Sequence, residues 1–161
     1  MTDDELKGSA LRVQQALEER GLQLVAKPFP AGTRTAEDAA AAIGCQVAQI
    51  AKSLIFRAAN SDRPVLVIAA GHNRVDEKRI AALLGEGIKR ADAAFVRDRT
   101  GFAIGGVAPV GHLVAPVTYL DQDLEGHEEI WAAAGTPNTV FRLTPKQLKS
   151  LTGADFVAVA G

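Results

Sequence analysis

Residues 50–56 have the sequence Ile50-Ala51-Lys52-Ser53-Leu54-Ile55-Phe56. Two isoleucines and a phenylalanine make this segment typical of a β-strand. Side chains alternate between the faces of a strand, so Lys52 falls in one apolar row with Ile50, Leu54 and Phe56. A charge in such a row is costly unless a polar group meets it. The residues alone allow two interpretations: an edge-strand lysine that extends to water, or a lysine that lines a pocket for an anionic or carbonyl-bearing ligand.

The rest of the chain alternates irregularly between helix and strand signals. Periodicity and capping residues predict helices over residues 6–20, 36–43, 77–84 and 93–99, and a last helix that begins at Pro145. Strands are predicted over residues 22–29, 50–56, 65–70, 113–119, 129–134 and 138–143. Several strands follow one another directly, which favours a mixed, partly barrel-like sheet with helices packed on it over a regular βαβ repeat. We therefore expect an α+β (mixed α/β) fold and a single domain over residues 1–161.

Composition bounds the class of protein. The 161 residues are 47% hydrophobic and 23% charged, with a net charge of −1. This is ordinary for a soluble globule and carries no global basic signature, so we expect no binding to duplex DNA. Cys45 is the only cysteine, the N-terminus lacks the apolar stretch of a signal peptide, and no apolar run approaches the length of a bilayer span. These features predict a cytoplasmic protein with no membrane partner.

The glycine loop, residues 101–112, is the second informative segment. It contains four glycines and one proline, and the remainder is almost entirely apolar. The neighbouring glycines Gly105 and Gly106 can present consecutive amide N–H groups to a carbonyl or oxyanion. The alternative is a glycine-rich turn between a helix and a strand. Neither a dinucleotide-binding fingerprint nor a Walker loop fits this spacing.

Other catalytic constellations are missing from the sequence. His72, His112 and His127 lie in separate segments, and one cysteine cannot complete a zinc site, so we expect neither a metal nor another cofactor. Of the three histidines, His112 is the best candidate for a site because it ends the glycine loop. Ser53 is next to Lys52 but on the opposite strand face, which argues against a Ser–Lys nucleophile pair.

Taken together, these segments resemble a known family. The matching residues, in order, are Ile50-Ala51-Lys52-Ser53-Leu54, Gly71, Arg74-Val75-Asp76, Thr100-Gly101-Phe102 and Gly105-Gly106-Val107-Ala108-Pro109-Val110-Gly111-His112. This combination resembles the YbaK/EbsC family, the freestanding relatives of the prolyl-tRNA synthetase editing domain. The resemblance runs from about Thr33 to the segment 154–159.

The resemblance implies an aminoacyl-tRNA deacylase that edits in trans. Such proteins hydrolyse the ester of a mischarged tRNA, usually proline tRNA carrying a small amino acid such as alanine, 2-aminobutyrate, serine, threonine or cysteine. Lys52, Gly105 and Gly106 are the expected catalytic residues, and prolyl-tRNA synthetase is an expected partner. The residues expected to bind substrate are Ser53, Phe56, Gly71, Ile104, Pro109, Gly111, His112, Ala133, Ala134 and Asn138. The alternative function is a non-catalytic module that binds tRNA ends or a synthetase.

Residues 130–140 depart from part of that family. Members that act on cysteinyl-tRNA carry polar residues here, including an acid near the end, whereas this chain has alanines at 132–134 and Val140. We therefore expect a small aliphatic or hydroxylated amino acid rather than cysteine.

Overall fold

One mixed β-sheet organises the chain in a computed structural model, which describes residues 3–22, 26–28 and 35–161. The strands are β1 (Ala26–Pro28), β2 (Ile50–Ala58), β3 (Pro64–Ala70), β4 (Ile88–Arg90), β5 (Val117–Asp121), β6 (Ile130–Ala133), β7 (Thr139–Leu143) and β8 (Phe156–Val157). The helices are α1 (Asp3–Glu19), α2 (Ala36–Ile43), α3 (Glu77–Leu84), α4 (Ala93–Thr100) and α5 (Pro145–Thr152). Short 3₁₀ turns at Val47–Gln49 and Gln122–Gly126 precede β2 and follow β5.

The strand order is β1-β7-β6-β2-β3-β5-β8, and β4 joins β2 off this path. Parallel pairs join β2 to β6, β3 to β5 and β5 to β8, while the other pairs are antiparallel. The predicted mixed α/β fold, with helices packed on a mixed sheet, is therefore confirmed.

Helices α2, α3 and α4 begin and end within one residue of the predicted bounds, and α5 begins at the predicted Pro145, whereas α1 begins at Asp3 rather than at residue 6. Thr35, Asp76, Asp92 and Thr144 cap α2, α3, α4 and α5, and each side chain accepts a hydrogen bond from a backbone N–H of the first turn. Such caps satisfy amide groups that have no partner within the helix. Left-handed glycines follow the same four helices.

The hydrophobic core lies on both faces of β3, whose seven residues are all buried. On one face, Leu66 and Ile68 pack with residues of α1, α4, α5 and the glycine loop. On the other face, Val65 and Val67 pack with Phe56 and with Ile80 of α3. Helix α2 and residues of β6 and β7 form a third cluster around Ile50. Lys52 therefore lies on a strand whose neighbours are apolar on both sides.

Three parts of the sheet differ from the prediction. Strands β4 and β8 were not predicted, because two or three residues are too few for a recognisable alternation. The strand predicted over 113–119 begins only at Val117, because the N–H groups of Leu113 and Val114 donate to carbonyls at the end of α4. Of the strand predicted over 22–29, residues 26–28 form β1, whereas 23–25 and 29 lie outside the described residues.

No helix in the described part of the chain is long and apolar enough to cross a membrane.

Candidate active site

A gap in the sheet beside β2 creates the candidate site. One edge of β2 pairs with β3 over residues 51–57. The other edge pairs with β6 only at Ile50 and Ala51 and with β4 only over residues 56–58. Within the described residues, no strand pairs with residues 52–55 on that side. Strands β6 and β4 thus diverge next to Lys52, Ser53 and Leu54, and side chains from both faces of β2 reach the opening.

A cavity of about 430 Å³ lies at this gap. Its walls come from α2, β2, the glycine loop, β6 and the turn into β7. The lining residues are Thr35, Ala36, Ala39, Ile50, Ala51, Lys52, Ser53, Leu54, Ile104, Gly105, Val107, Trp131, Ala133, Pro137, Thr139 and Val140. Lys52 is the one charged side chain among these lining residues. A single positive charge therefore faces a largely apolar space.

The ammonium group of Lys52 is held by a backbone carbonyl. Its Nζ donates to the oxygen of Asn73 at 2.8 Å, and the side chain is half-buried. An ammonium has three N–H donors, so this contact leaves two for a ligand. Among the described residues, no carboxylate forms an ion pair with Lys52. The predicted apolar row around Lys52 is confirmed, and the lysine lines a cavity within it.

Asn73 is itself fixed by a buried carboxylate. Its Nδ2 donates to Asp121 Oδ2 at 2.8 Å and to Asp123 Oδ2 at 2.7 Å. Asp121 is 1% exposed, and the same Oδ2 accepts the N–H of Ala70 at 2.9 Å. Charge-assisted bonds of this kind are stronger than neutral ones and compensate the burial of the anion. The carbonyl that holds Lys52 thus belongs to an anchored loop.

Ser53 also contacts the cavity, although it follows Lys52 directly. Its Oγ is buried and has no hydrogen-bond partner within the described part of the chain. A buried hydroxyl without a partner loses free energy, which a polar ligand group would restore. Ser53 therefore has an unused hydrogen-bonding group next to the cavity.

The structure separates the two glycines that were expected to act as a pair. Gly105 (φ +88°) lines the cavity, and its N–H donates to no acceptor among the described residues. The N–H of Gly106 instead donates to the carbonyl of Ala103 at 2.9 Å. This corrects the expectation of two amides aimed at one ligand oxygen, because the Gly106 N–H already has a partner.

Gly106 has a different task. A Cβ at this position would lie 2.8 Å from the carbonyl carbon of Thr136 and 2.9 Å from the nitrogen of Pro137. The absence of a side chain lets the glycine loop approach the 136–137 backbone closely, which joins two walls of the cavity.

Five of the predicted site residues line the cavity: Lys52, Ser53, Ile104, Gly105 and Ala133. Phe56 lies in the core cluster under α3 and borders a second, adjoining cavity. Gly71 does not line the cavity. It packs against the turn before β2, because a Cβ there would be 2.4 Å from the carbonyl oxygen of Val47. Ala134 is buried in the core, and Asn138 is exposed beyond the cavity rim.

Pro109, Gly111 and His112 form the base of the glycine loop, away from the cavity lining. His112 Nε2 lies 2.6 Å from the carbonyl oxygen of Ala108, so this nitrogen carries the proton and donates. Burial lowers the pKa of His112, and the charge of Arg12 lowers it further against the opposing effect of the Ala108 bond. The partly buried imidazole supports the loop and does not line the cavity.

Sequence reasoning missed much of the apolar lining. Thr35, Ala36 and Ala39 come from α2, whose run of alanines places only small side chains against the cavity. That run was the one available signal, and it is equally typical of an ordinary short helix. Trp131 and Val140 belong to neighbouring strands, β6 and β7, whose pairing the sequence did not indicate.

The second cavity, of about 640 Å³, continues from the first. The two share Ser53, Leu54, Ile104, Gly105 and Val107. The charged side chains of the second cavity are Arg74, Glu77, Arg90 and Asp92. The glycine loop therefore lies between the first cavity, which is largely apolar and lined by Lys52, and the second cavity, which has four charged side chains.

Known proteins are similar to this chain in sequence and in fold. The sequence profile of the aminoacyl-tRNA editing domain matches residues 30–151. The uncharacterized protein YwhH of Bacillus subtilis (strain 168) is 36% identical over 124 residues, which cover 77% of this chain and 78% of YwhH. EbsC of Enterococcus faecalis (strain ATCC 700802 / V583), named "Putative Cys-tRNA(Pro)/Cys-tRNA(Cys) deacylase", is 27% identical over 128 residues, covering 78% of this chain and 76% of EbsC.

A solved structure described as "a putative trans-editing enzyme for prolyl tRNA synthetase" has the same fold. It superposes with a TM-score of 0.89 at 47% sequence identity and covers 95% of this chain and 97% of its own. The sequence match spans most of the chain and includes the cavity residues on α2, β2, the glycine loop, β6 and β7. On this evidence, the chain belongs to the aminoacyl-tRNA editing domain family.

Proposed function

We propose that this protein hydrolyses the ester bond of mischarged aminoacyl-tRNA in trans, releasing the free amino acid and the tRNA. The single observation that carries the proposal is the position of Lys52. It is the one charged residue among the described residues that line the apolar cavity, and its ammonium is bound to a backbone carbonyl and to no carboxylate among them. Membership of the editing domain family supports the same reaction.

An aminoacyl ester is already activated, so the site needs no strong nucleophile. Polarising the ester carbonyl and positioning a water molecule or a substrate hydroxyl lowers the barrier enough. In this mechanism the two remaining N–H groups of Lys52 stabilise the ribose-phosphate end or the developing oxyanion. The N–H of Gly105 is the second donor to the carbonyl oxygen, and Ser53 Oγ orients the nucleophile or the amino group.

The cavity lining favours a small side chain. Ala36, Ala39 and Ala133 leave the space open, while Trp131 and Val140 make it apolar. Alanine and 2-aminobutyrate fit this lining directly, and serine and threonine are accepted if their hydroxyl reaches a polar group such as Ser53. Cysteine remains the least expected substrate. We expect the site to discriminate against the ring-closed side chain of proline, so that correctly charged prolyl-tRNA is spared.

Proline tRNA and prolyl-tRNA synthetase are the proposed partners. The solved relative with 47% identity is described as acting for prolyl-tRNA synthetase, and EbsC is named for proline and cysteine tRNAs. Arg74 and Arg90 line the second cavity next to the glycine loop, together with Glu77 and Asp92. We propose that the two arginines contact phosphates near the tRNA end.

Deacylation of one tRNA charged in turn with several amino acids tests the proposal. Purified protein is mixed with proline tRNA carrying alanine, 2-aminobutyrate, serine, threonine, cysteine or proline, and release of the amino acid is followed in single turnovers. We expect rapid loss of the small aliphatic or hydroxylated residues and retention of proline.

Lys52→Ala identifies the site responsible. Losing one preorganised electrostatic contact typically costs ~10²–10³ in rate, so this variant should lose most of its activity. Lys78→Ala removes an exposed lysine of α3 and is the matched control. Full activity of Lys52→Ala would contradict the proposal. Binding of charged tRNA without any hydrolysis would instead support a non-catalytic module.

A further inference from the structure

Helix α1 lies outside the segment that matches the editing domain, yet its Arg12 contacts both ends of the glycine loop. Arg12 Nε donates to the carbonyl oxygen of Gly111 at 2.9 Å. Its Nη2 donates to the carbonyl oxygen of Gly101 at 2.8 Å. One planar guanidinium therefore ties together two backbone carbonyls ten residues apart in sequence.

The aromatic residues of the loop complete this contact. The Arg12 guanidinium lies over the ring of Phe102, 4.8 Å from its centroid, and Phe102 is fully buried. The His112 ring meets Phe102 edge to face at 5.3 Å. A cation over an aromatic face adds attraction to the two hydrogen bonds.

Two glycines of the loop are explained by this arginine. Gly101 and Gly111 have φ angles of +80° and +81°, which side chains disfavour. A Cβ on Gly101 would lie 2.4 Å from Arg12 Nη2, and one on Gly111 would lie 3.4 Å from the Arg12 carbonyl oxygen. At these positions the missing side chains let the loop backbone approach the guanidinium of Arg12 at Gly101 and the Arg12 backbone at Gly111.

The same helix supports the opposite wall of the cavity. A Cβ on Gly135 would lie 2.9 Å from the Ser9 carbonyl oxygen and from Val13 Cγ2, so α1 packs directly on the start of the turn that contains Pro137. That turn meets the glycine loop at Gly106. A displacement of α1 is therefore transmitted to both walls at once.

We propose that Arg12 is a positioning residue of the deacylase site. It holds the two ends of the glycine loop so that Gly105 stays against the cavity, and this inference rests on the proposed function. Lysine cannot replace it fully, because a point charge cannot bond both carbonyls with the geometry of the guanidinium fork. The catalytic geometry is thus set partly by a helix that lies outside the segment matched by the family profile.

Two variants of Arg12 and a control at Arg20, directly after α1, test the proposal. Arg12→Met removes the fork, Arg12→Lys keeps the charge, and Arg20→Met removes an arginine whose Nη1 donates to the carbonyl of Ala16 within α1. Circular dichroism and thermal unfolding establish that each variant is folded, and Arg12→Lys replaces Arg12→Met if the latter is not.

Kinetics are measured as kcat and KM on the best substrate of the tRNA panel. A small misplacement of catalytic groups costs up to about 10²-fold in rate. We expect Arg12→Met to lose kcat by roughly 10- to 100-fold with little change in KM, and Arg12→Lys to be intermediate. Millimolar guanidinium should restore part of the kcat of Arg12→Met and have no such effect on Arg20→Met.

The amide resonances of Gly105 and Gly106 give a readout that needs no catalysis. They should shift in Arg12→Met and stay in place in Arg20→Met. Unchanged resonances or an unchanged kcat in folded Arg12→Met would overturn the proposal. If the wild-type protein hydrolyses none of the esters, the proposed function fails, while the resonances still decide whether Arg12 holds the loop.

Discussion

The Nζ of Lys52 donates a 2.8 Å hydrogen bond to the backbone carbonyl of Asn73. This contact joins β2 to the loop after β3, and the side chain of Asn73 in turn bonds Asp121 and Asp123. The ammonium is therefore placed by a carbonyl whose own position depends on a buried carboxylate. A positive charge held in this way keeps its attraction for a substrate, because among the described residues no carboxylate forms an ion pair with it.

Asn73→Ala should lower both the stability and the activity of the protein, although it keeps the backbone carbonyl to which Lys52 donates. The substitution leaves the buried Asp121 with one donor fewer, and an unsatisfied buried group costs about 1–3 kcal/mol. We expect the free energy of unfolding in urea to fall by that amount and kcat for deacylation to fall several-fold. Asn60→Ala is the control, since Asn60 contacts Glu86 through its backbone N–H. Equal behaviour of the two variants would contradict the anchoring role of Asn73.

Gly106→Ala should push the glycine loop away from the backbone of residues 136–137, which forms the facing wall of the cavity. The added Cβ would meet the backbone of Thr136 and Pro137 at 2.8–2.9 Å, and backbone atoms cannot yield as a flexible side chain can. Overpacking of this kind costs about 1–3 kcal/mol, so stability and kcat should both fall.

Gly8→Ala is the matched control for this substitution, because nothing lies within 4 Å of its added Cβ. In the interior of α1 it should raise stability by roughly 0.5–1 kcal/mol and leave kcat unchanged. A Gly106→Ala protein with wild-type stability and kcat would show that the close approach is unimportant.

Ala133→Leu should reduce the size of substrate that the cavity accepts. Ala133 is a half-buried lining residue on β6, so three additional carbons project into the space available to the amino acid. Competition between threonyl and alanyl esters on the same tRNA should shift towards alanine by roughly 10-fold, since pocket contacts discriminate by ~1–3 kcal/mol. Ala94→Leu, an exposed substitution on α4, should leave the ratio unchanged. An equal loss for both esters would argue that residue 133 does not contact the amino acid.

His112 should make the fold sensitive to mild acid. Burial lowers its pKa below the ordinary value of 6.5, so in mild acid the unfolded chain binds a proton that the folded chain resists. The free energy of unfolding should therefore decrease as the pH falls from about 7.5 to 5.5, and His112→Gln should flatten this slope.

His72→Gln, which changes an exposed histidine, should retain the wild-type slope. Asp62 and Glu86 do not interfere, because their hydrogen bonds lower their pKa values below 3.8 and 4.5, outside this window. A wild-type slope in His112→Gln would contradict the assignment.

Local sequence signals were enough to locate most helices and strands of this protein and to single out Lys52. Capping residues such as Thr35 and Asp76 and the following glycines located the helix ends, because caps act within one turn of the chain. The alternation around Lys52 indicated a charge in an apolar row, because strand periodicity is also local. The ordered motifs on β2 and in the glycine loop identified the family, and the match to residues 30–151 confirmed it.

Only the tertiary structure decided how these parts meet. The divergence of β6 and β4 from β2 opens the cavity. It depends on pairings between residues up to 81 positions apart, which no local pattern encodes. The separate tasks of Gly105 and Gly106 follow from the approach of the 136–137 backbone. Arg12 in α1 bonds carbonyls 89 and 99 residues away, because long-range packing brings them within hydrogen-bond distance. Sequence patterns report what neighbouring residues do, whereas a catalytic cavity is built from contacts between distant ones.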